Sequence, residues 1–179
     1  MPQLREALLE ATQGYDKITA LGFSMGGYGA LLLSRALRLN RVLLVSPQVS
    51  VFPDHAPWET RYLVEAAQLD PAWDDLARKP RRGLHGVVLY DPMDAVDRQH
   101  AAAIGKLFPR LSMVPLAFGG HPATRVLLEG WKFSKLQQEL LRPRLRPGFL
   151  LRGHKIARRN SPSYRAALQN RCEARGKRS

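Results

Sequence analysis

Cysteine is almost missing from this chain, since Cys172 is the single cysteine among 179 residues. One thiol cannot close an internal disulfide, and the sequence has no Cys-x-x-Cys pair or Cys/His cluster of the kind that binds structural zinc. The histidines are scattered without metal-ligand spacing, and four of them receive no role: His55, His85, His100 and His154. We therefore expect a protein of a reducing compartment, the cytoplasm, with no metal and no cofactor.

Long hydrophobic runs are also missing. The longest apolar stretch, Ala20 to Ser34, is interrupted by glycines and is too short to span a bilayer. The first fifteen residues carry Arg5, Glu6 and Glu10, which excludes a secretory signal peptide. Hydrophobic residues still make up 45% of the chain, and this is the composition of a globular protein rather than a disordered one.

Acidic residues are scarce in one part of the chain only. Residues 142–179 hold 12 Lys and Arg against one acid, whereas residues 1–141 hold 16 against 14. A nearly neutral body followed by a basic segment argues against interpreting the whole molecule as a nucleic-acid-binding protein. Residues 142–179 also lack apolar periodicity, so we predict one domain over 1–141 and a flexible basic tail over 142–179.

Four short apolar segments predict buried strands, and helical patterns alternate with them. The predicted strands are residues 18–23, 41–46, 84–90 and 111–118, and the predicted helices are 2–13, 26–39, 98–108 and 123–141. Between the second and third strands, the proline-rich residues 51–83 form an irregular insert with one helical piece over 58–68. This order predicts an α/β fold with a mostly parallel sheet wound with helices, in which functional groups gather at the carboxyl ends of the strands.

Gly22-Phe23-Ser24-Met25-Gly26 is a Gly-x-Ser-x-Gly motif placed where a predicted strand turns directly into a helix. That context is the one a nucleophile elbow requires, because the turn lifts the serine hydroxyl to the end of the sheet. The serine backbone is strained there, and side chains at the flanking glycines would collide with the neighbouring strand and helix. The amide of Met25 would then face a developing oxyanion.

An acidic turn follows the third predicted strand, and a histidine follows the fourth. The turn contains Asp91, Asp94 and Asp97, and the histidine is His121 of Gly-Gly-His-Pro. Serine, acid and histidine thus occur in the order of a hydrolase triad, each at a strand end.

The segments GFSMGGYGALLL, DPMD and GGHP together resemble the α/β-hydrolase superfamily, in particular its bacterial esterase-like members. The resemblance covers about residues 16–140. It implies Ser24 as nucleophile, His121 as general base and acid, and the Met25 amide as oxyanion donor. For the acid it favours Asp94, with Asp91 as the alternative, and it leaves Asp97 as the cap of the next helix.

The resemblance is confined to the last four of the eight strands that such hydrolases have, so we expect an incomplete version of that fold. The HGG-type loop that supplies the second oxyanion amide does not occur before Ser24. A truncated gene, a missing half supplied by another chain, and lost catalysis are the three explanations. The apolar segment over 18–23 would form an open sheet edge, which predicts a homodimer or a partner at that edge.

Each of these residues also has a plainer interpretation. Ser24 could be a turn serine, His121 a helix-capping loop residue and Asp94 a surface acid. The insert's large apolar side chains would either line an acyl pocket or pack the insert onto the sheet; they are Trp58, Tyr62, Leu63 and Trp73. The arginines of the tail would either bind an anionic polymer or lipid, or only keep a solvent-exposed extension soluble.

Two main hypotheses follow. The first is a serine hydrolase acting on a small ester, thioester or similar acyl compound through Ser24, His121 and Asp94. The second is a non-catalytic α/β-hydrolase-like protein that binds or scaffolds. A nucleic-acid-associated protein acting through its tail is a third and weaker hypothesis.

Overall fold

A computed structural model describes residues 2–131 and 133–176 of the chain. The strands are β1 (Thr19–Phe23), β2 (Arg41–Val45), β3 (His85–Tyr90) and β4 (Leu111–Pro115). The α-helices are α1 (Pro2–Ala11), α2 (Met25–Leu33), α3 (Leu63–Ala67), α4 (Ala95–Leu107), α5 (Arg125–Gly130), α6 (Phe133–Leu140), α7 (Pro147–Ala157) and α8 (Pro162–Gly176). A 3₁₀ turn covers Pro71–Trp73.

The strands form one parallel sheet in the order β1-β2-β3-β4. The predicted α/β class and parallel sheet are therefore confirmed. Within the described residues, β1 pairs with β2 on one side and with no strand on the other, so it is an edge strand. Leu21, in the middle of β1, leaves 40% of its surface exposed.

Both faces of the sheet are buried at the central strands β2 and β3, which is why these strands are apolar after their first residue rather than alternating. On β2, Val42 and Leu44 join one hydrophobic cluster, and Leu43 and Val45 join the other. The first cluster also contains residues of α2, α4 and the insert. Because each strand is added on the same side of its predecessor, right-handed crossovers place these connections on one face of the sheet.

Elements that follow β4 cover the second face, and the prediction of a flexible tail over 142–179 is wrong for α7, which is part of the packed core. Leu127 of α5, Leu136 of α6 and Leu150 of α7 pack with the strand residues of the second cluster. Leu150 has no exposed surface. The physical reason is that the preceding crossovers leave this face open, so that the apolar side chains of α7 are needed to bury it.

The predicted helix over 123–141 is two helices, α5 and α6. Helix α5 ends at Gly130, where the chain passes close to α7: a Cβ atom on Gly130 would lie 2.6 Å from Ala157 Cα. The second half of the tail forms α8, whose first turn is tied to α5 because Ser161 Oγ donates to Glu129 Oε2 at 2.5 Å.

The insert over 51–83 contains α3 and the 3₁₀ turn, and its predicted helix shrinks to five residues. Its Phe52 and Ala66 are buried in the first cluster. Trp58 and Tyr62 pack partly buried against the same cluster, while Leu63 is 47% exposed. None of the helices in the described part of the chain is long and apolar enough to cross a bilayer.

Candidate functional site

Ser24 stands between the end of β1 and the start of α2, as the motif predicts. Its backbone has φ 48° and ψ −122°, a left-handed conformation that costs a non-glycine residue about 1–3 kcal/mol. Hydrogen bonds hold it in place: the Ser24 amide donates to Val45 O at 2.8 Å, and Ser24 O accepts from the Gly27 amide at 2.8 Å. The turn places the Ser24 hydroxyl at the carboxyl end of the sheet.

Glycines allow the strand and the helix to approach each other closely at this turn, as predicted. One of the two glycines that lack room for a side chain is not the one expected. A Cβ on Gly22 would lie 2.7 Å from Gly27 Cα, so a side chain there would collide with the helix. A Cβ on Gly27 would lie 2.7 Å from Pro47 Cβ, in the segment after β2. A Cβ on Gly26 would meet nothing within 4 Å. The second obligatory glycine is therefore Gly27 rather than Gly26.

The side chains of Ser24 and His121 meet, as the strand-end placement predicts. Ser24 Oγ lies 2.7 Å from His121 Nε2, although the two residues are 97 positions apart in the chain. On the other side of the imidazole ring, His121 Nδ1 lies 2.8 Å from Asp97 Oδ1. Asp97 is 2% exposed and His121 is partly buried. The three side chains thus form a continuous serine–histidine–aspartate chain.

Asp94, the acid favoured from the sequence, does not contact His121. It is the N-cap of α4, and its Oδ1 accepts from the Val96 and Asp97 amides at 2.9 Å each. The helix begins at Ala95, three residues earlier than predicted. The expected roles of Asp94 and Asp97 are therefore exchanged: Asp94 caps the helix, and Asp97 turns inward from its first turn toward the imidazole.

Asp91, the alternative acid, does not contact the imidazole either. Its Oδ1 accepts from the Phe118 amide at 3.1 Å, and its Oδ2 accepts from the Gly120 amide at 2.9 Å. Gly120 has φ 75°, and the residue after it is His121. Asp91 consequently shapes the turn that presents His121 to Ser24.

Two further side chains contact the Ser24 hydroxyl, and sequence reasoning assigned neither to the site. Tyr62 Oη, from the insert, makes a short hydrogen bond with Ser24 Oγ. Gln48 Nε2, three residues after β2, donates to Ser24 Oγ at 3.1 Å, and Gln48 is fully buried. From the sequence, Tyr62 is a candidate either for lining a pocket or for packing the insert, but no local pattern indicates that it reaches Ser24 Oγ. Gln48 carries no sequence signal.

Arg61 extends the chain of contacts beyond Asp97. Its Nη1 donates to Asp97 Oδ1 at 3.1 Å, while its Nη2 donates to Glu59 Oε2 at 2.6 Å. Burial raises the pKa of Asp97, but hydrogen bonds with His121, Ser46 and Arg61 outweigh burial and lower the pKa below its ordinary value. Asp97 is therefore ionised at neutral pH and fit to hold a histidine N–H.

His100, to which the sequence assigns no role, lies behind Glu59. It is 1% exposed. Its Nδ1 accepts from the Val49 amide at 3.2 Å, so the ring proton stands on Nε2, 2.9 Å from Glu59 Oε2. Burial lowers the pKa of His100, and the neutral ring thus anchors Glu59. Burial would raise the pKa of Glu59, but the hydrogen bonds from Arg61 and His100 outweigh it and lower that pKa.

The Met25 amide is placed as predicted, at the first residue of α2. An amide in the first turn of a helix has no acceptor within the helix, and it lies at the positive end of the helix dipole. It is therefore free to donate to an anion that forms beside Ser24. In the described ranges, no three His, Cys, Asp or Glu side chains are grouped so that they could hold a metal ion.

Comparison of the chain with models of known protein families, with curated proteins and with solved structures found no match. The functional interpretation therefore depends on the geometry of the site and on the motif around Ser24.

Proposed function

We propose that the chain is a serine hydrolase of the α/β-hydrolase type that cleaves a small ester, thioester or similar acyl compound. The observation that carries the proposal is the unbroken contact from Ser24 Oγ to His121 Nε2 at 2.7 Å and from His121 Nδ1 to Asp97 Oδ1 at 2.8 Å. The strained backbone of Ser24 supports the same interpretation, because strain of this kind persists where the surrounding structure enforces it for function.

In the first half of the reaction, Ser24 Oγ attacks the acyl carbon while its proton moves to His121 Nε2. A bond forms between Oγ and carbon, and the carbonyl π electrons move onto oxygen. Asp97 accepts the His121 Nδ1–H hydrogen bond throughout, which fixes the tautomer and stabilises the imidazolium that forms. The hydrogen bond with His121, supported by the one from Arg61, keeps the pKa of Asp97 low and its carboxylate ionised, so the proton remains on histidine.

The oxyanion needs donors, and the hydrogen bonds at Ser24 indicate where they are. A serine hydroxyl has one proton and two lone pairs. The proton faces His121, and the lone pairs face Tyr62 Oη–H and Gln48 Nε2–H. When one lone pair of Ser24 Oγ forms the bond to the acyl carbon, the donor that was hydrogen-bonded to that lone pair loses its acceptor. This donor is then within reach of the new oxyanion. We assign that role to the Tyr62 hydroxyl, together with the Met25 amide, because Gln48 is fully buried whereas Tyr62 is only partly buried.

In the second half, the tetrahedral intermediate collapses. The carbon–oxygen or carbon–sulfur bond to the leaving group breaks, and His121 Nε2–H protonates that group as it departs. A water molecule then loses its proton to His121 and attacks the acyl-enzyme. Collapse of this second intermediate returns the proton to Ser24 Oγ and releases the carboxylic acid.

A fluorophosphonate probe tests the proposal, since it labels only an activated serine. We expect labelling of the intact chain, loss of labelling in Ser24→Ala and in His121→Ala, and unchanged labelling in the control Ser112→Ala, a residue of β4 whose side chain is exposed. Hydrolysis of a p-nitrophenyl acyl ester by the same variants gives the turnover. Labelling that survives Ser24→Ala would contradict the proposal.

The second candidate function is a non-catalytic protein of the same fold that binds an acyl ligand. One observation favours it: Tyr62 and Gln48 already occupy both lone pairs of Ser24 Oγ, so substrate must displace a donor before attack. A folded chain that binds acyl compounds without reacting with the fluorophosphonate would support this alternative over the hydrolase.

A further inference from the structure

A cavity of about 880 Å³ opens at the amino ends of the strands, the opposite end of the sheet from Ser24. Thr19, Arg41 and His85 line it; they are the first residues of β1, β2 and β3 and are partners in the sheet register. A five-residue strand is roughly 16 Å long, so this cavity is separate from the candidate active site. The segment between α6 and α7, over 141–147, forms another wall.

The walls of this cavity are positive. Its lining includes five permanent cations and no carboxylate: Lys17, Arg41, Arg110, Arg142 and Arg144. Among the described residues, only Arg142 of these five makes an ion pair, with Glu139 at 3.4 Å. Gathering the other cations without counter-charge costs repulsion energy, which a bound anion would relieve.

Arg41 fixes the shape of the cavity. Its Nη2 donates to Leu140 O at 2.6 Å, its Nη1 makes a short hydrogen bond to Arg142 O, and its Nε donates to Thr19 Oγ1 at 3.0 Å. All these acceptors are neutral, so the guanidinium charge stays uncompensated. Arg41 therefore ties the segment that carries Arg142 and Arg144 to the start of β2.

Arg110, which directly precedes β4, is held in the lining by His85. An arginine cannot accept a hydrogen bond, so Arg110 Nη1 donates to His85 Nε2 at 3.2 Å and leaves its other N–H groups for a ligand. Lys17 and Arg144 are exposed and make no ion pair in the ranges that the structure describes. Three separate parts of the chain thus supply hydrogen-bond donors to the cavity: the residue Lys17 before β1, Arg110 before β4 and Arg144 after α6.

We propose that this cavity binds a small oligophosphate, an anion with two or three linked phosphate groups. Its volume is that of a small-molecule site. The planar fork of arginine matches the spacing of phosphate oxygens, and cations spread over several walls favour an anion with several charges over a single phosphate. The proposal does not depend on the hydrolase activity, because none of the groups near Ser24 lines the cavity.

Isothermal titration of the full chain with inorganic triphosphate at physiological salt tests this inference. We expect one site per chain, weaker binding of orthophosphate, and a loss of about tenfold or more in triphosphate affinity in the double variant Arg110→Ala/Arg144→Ala. The matched control Arg165→Ala/Arg171→Ala removes the same charge from α8 and should change affinity less than about twofold. Ser24→Ala should bind triphosphate as the unmodified chain does, whatever its effect on hydrolysis.

Three results would overturn the inference. The first is no heat of binding with triphosphate. The second is equal weakening by the two double variants, which would indicate general attraction to a basic chain. The third is tight, strongly salt-dependent binding of a single-stranded oligonucleotide with no measurable binding of triphosphate, which would make the surface a nucleic-acid contact.

Discussion

Asp97 Oδ1 lies 2.8 Å from His121 Nδ1, while the carboxylate of Asp94, three residues earlier, accepts hydrogen bonds from backbone amides in the first turn of α4. Asp97 therefore orients the histidine, whereas Asp94 caps the helix. We expect Asp97→Asn to lower kcat for acyl-ester hydrolysis by about 10³–10⁴-fold, because an amide no longer holds the required tautomer of His121.

Asp94→Asn is the matched control, since asparagine caps a helix about as well as aspartate. It should leave kcat within a few-fold of the unmodified chain. Circular dichroism of both variants checks that they fold. A large loss in Asp94→Asn together with an active Asp97→Asn would contradict the assignment of the acid.

Tyr62 offers a second test, because its hydroxyl contacts Ser24 Oγ. If that hydroxyl stabilises the oxyanion, Tyr62→Phe should lower kcat by about 10²-fold with little change in KM. Tyr15→Phe, at a tyrosine that is 70% exposed, is the control. A rise in kcat in Tyr62→Phe would instead show that the hydroxyl obstructs the nucleophile.

Local sequence was enough to predict the turn at Ser24, because a strand, a Gly-x-Ser-x-Gly motif and a helix follow one another without a break. The acid was harder to predict. Aspartates at 91, 94 and 97 share one turn, and which of them faces His121 depends on where α4 begins. That start is fixed by the Asp94 cap, and a boundary of this kind is shifted easily by three residues in a prediction from sequence.

The insert and the tail were harder still, because their roles depend on long-range packing. Arg61 and Tyr62 belong to an irregular segment whose path over the sheet has no local signal. In the tail, prolines and arginines suggest a solvated chain, yet Leu145, Leu150 and Leu151 pack on the second sheet face. The need to cover that face is a property of the sheet topology and is not visible in the composition of the tail.

Leu150 tests whether α7 is part of the folded core. It has no exposed surface, so Leu150→Ala should lower the free energy of unfolding by about 2–4 kcal/mol. Ile156→Ala in the same helix, at a side chain 49% exposed, should cost about 1 kcal/mol or less. Urea denaturation measures both. Equal, small effects would mean that α7 contributes nothing to stability.

His154 should make stability depend on pH. Burial, together with the nearby charge of Arg158, lowers its pKa from 6.5 to about 4. Its Nε2 donates to Ala117 O at 3.1 Å, and Nδ1 is buried with no hydrogen-bond partner among the described atoms. The unfolded chain therefore binds the second ring proton of His154 more tightly than the folded chain does. The stability due to the neutral ring is lost as pH falls from about 6.5 toward 4.

Between pH 7 and pH 5 this group alone should remove about 2 kcal/mol from the free energy of unfolding. The free energy of unfolding of His154→Gln should fall by about that much less between pH 7 and pH 5, as measured by urea denaturation at both pH values. Parallel losses in His154→Gln and the unmodified chain would contradict the prediction.

The free edge of β1 should determine how the chain associates. Residues 19–23 carry no charge and no proline, and the backbone groups on the outer side of β1 have no strand partner in the described ranges. An uncharged edge of this kind pairs readily with an identical edge of a second copy. We therefore expect sedimentation velocity to show concentration-dependent dimers.

Leu21→Lys places a charge in the middle of that edge, where the side chain is already 40% exposed, and so it should shift the chain toward monomer without unfolding it. Leu128→Lys, on α5 at 54% exposure, adds the same charge elsewhere and should leave the association unchanged. If both variants reduce dimerisation equally, net charge rather than the edge controls it. A chain that stays monomeric at every concentration would contradict the prediction.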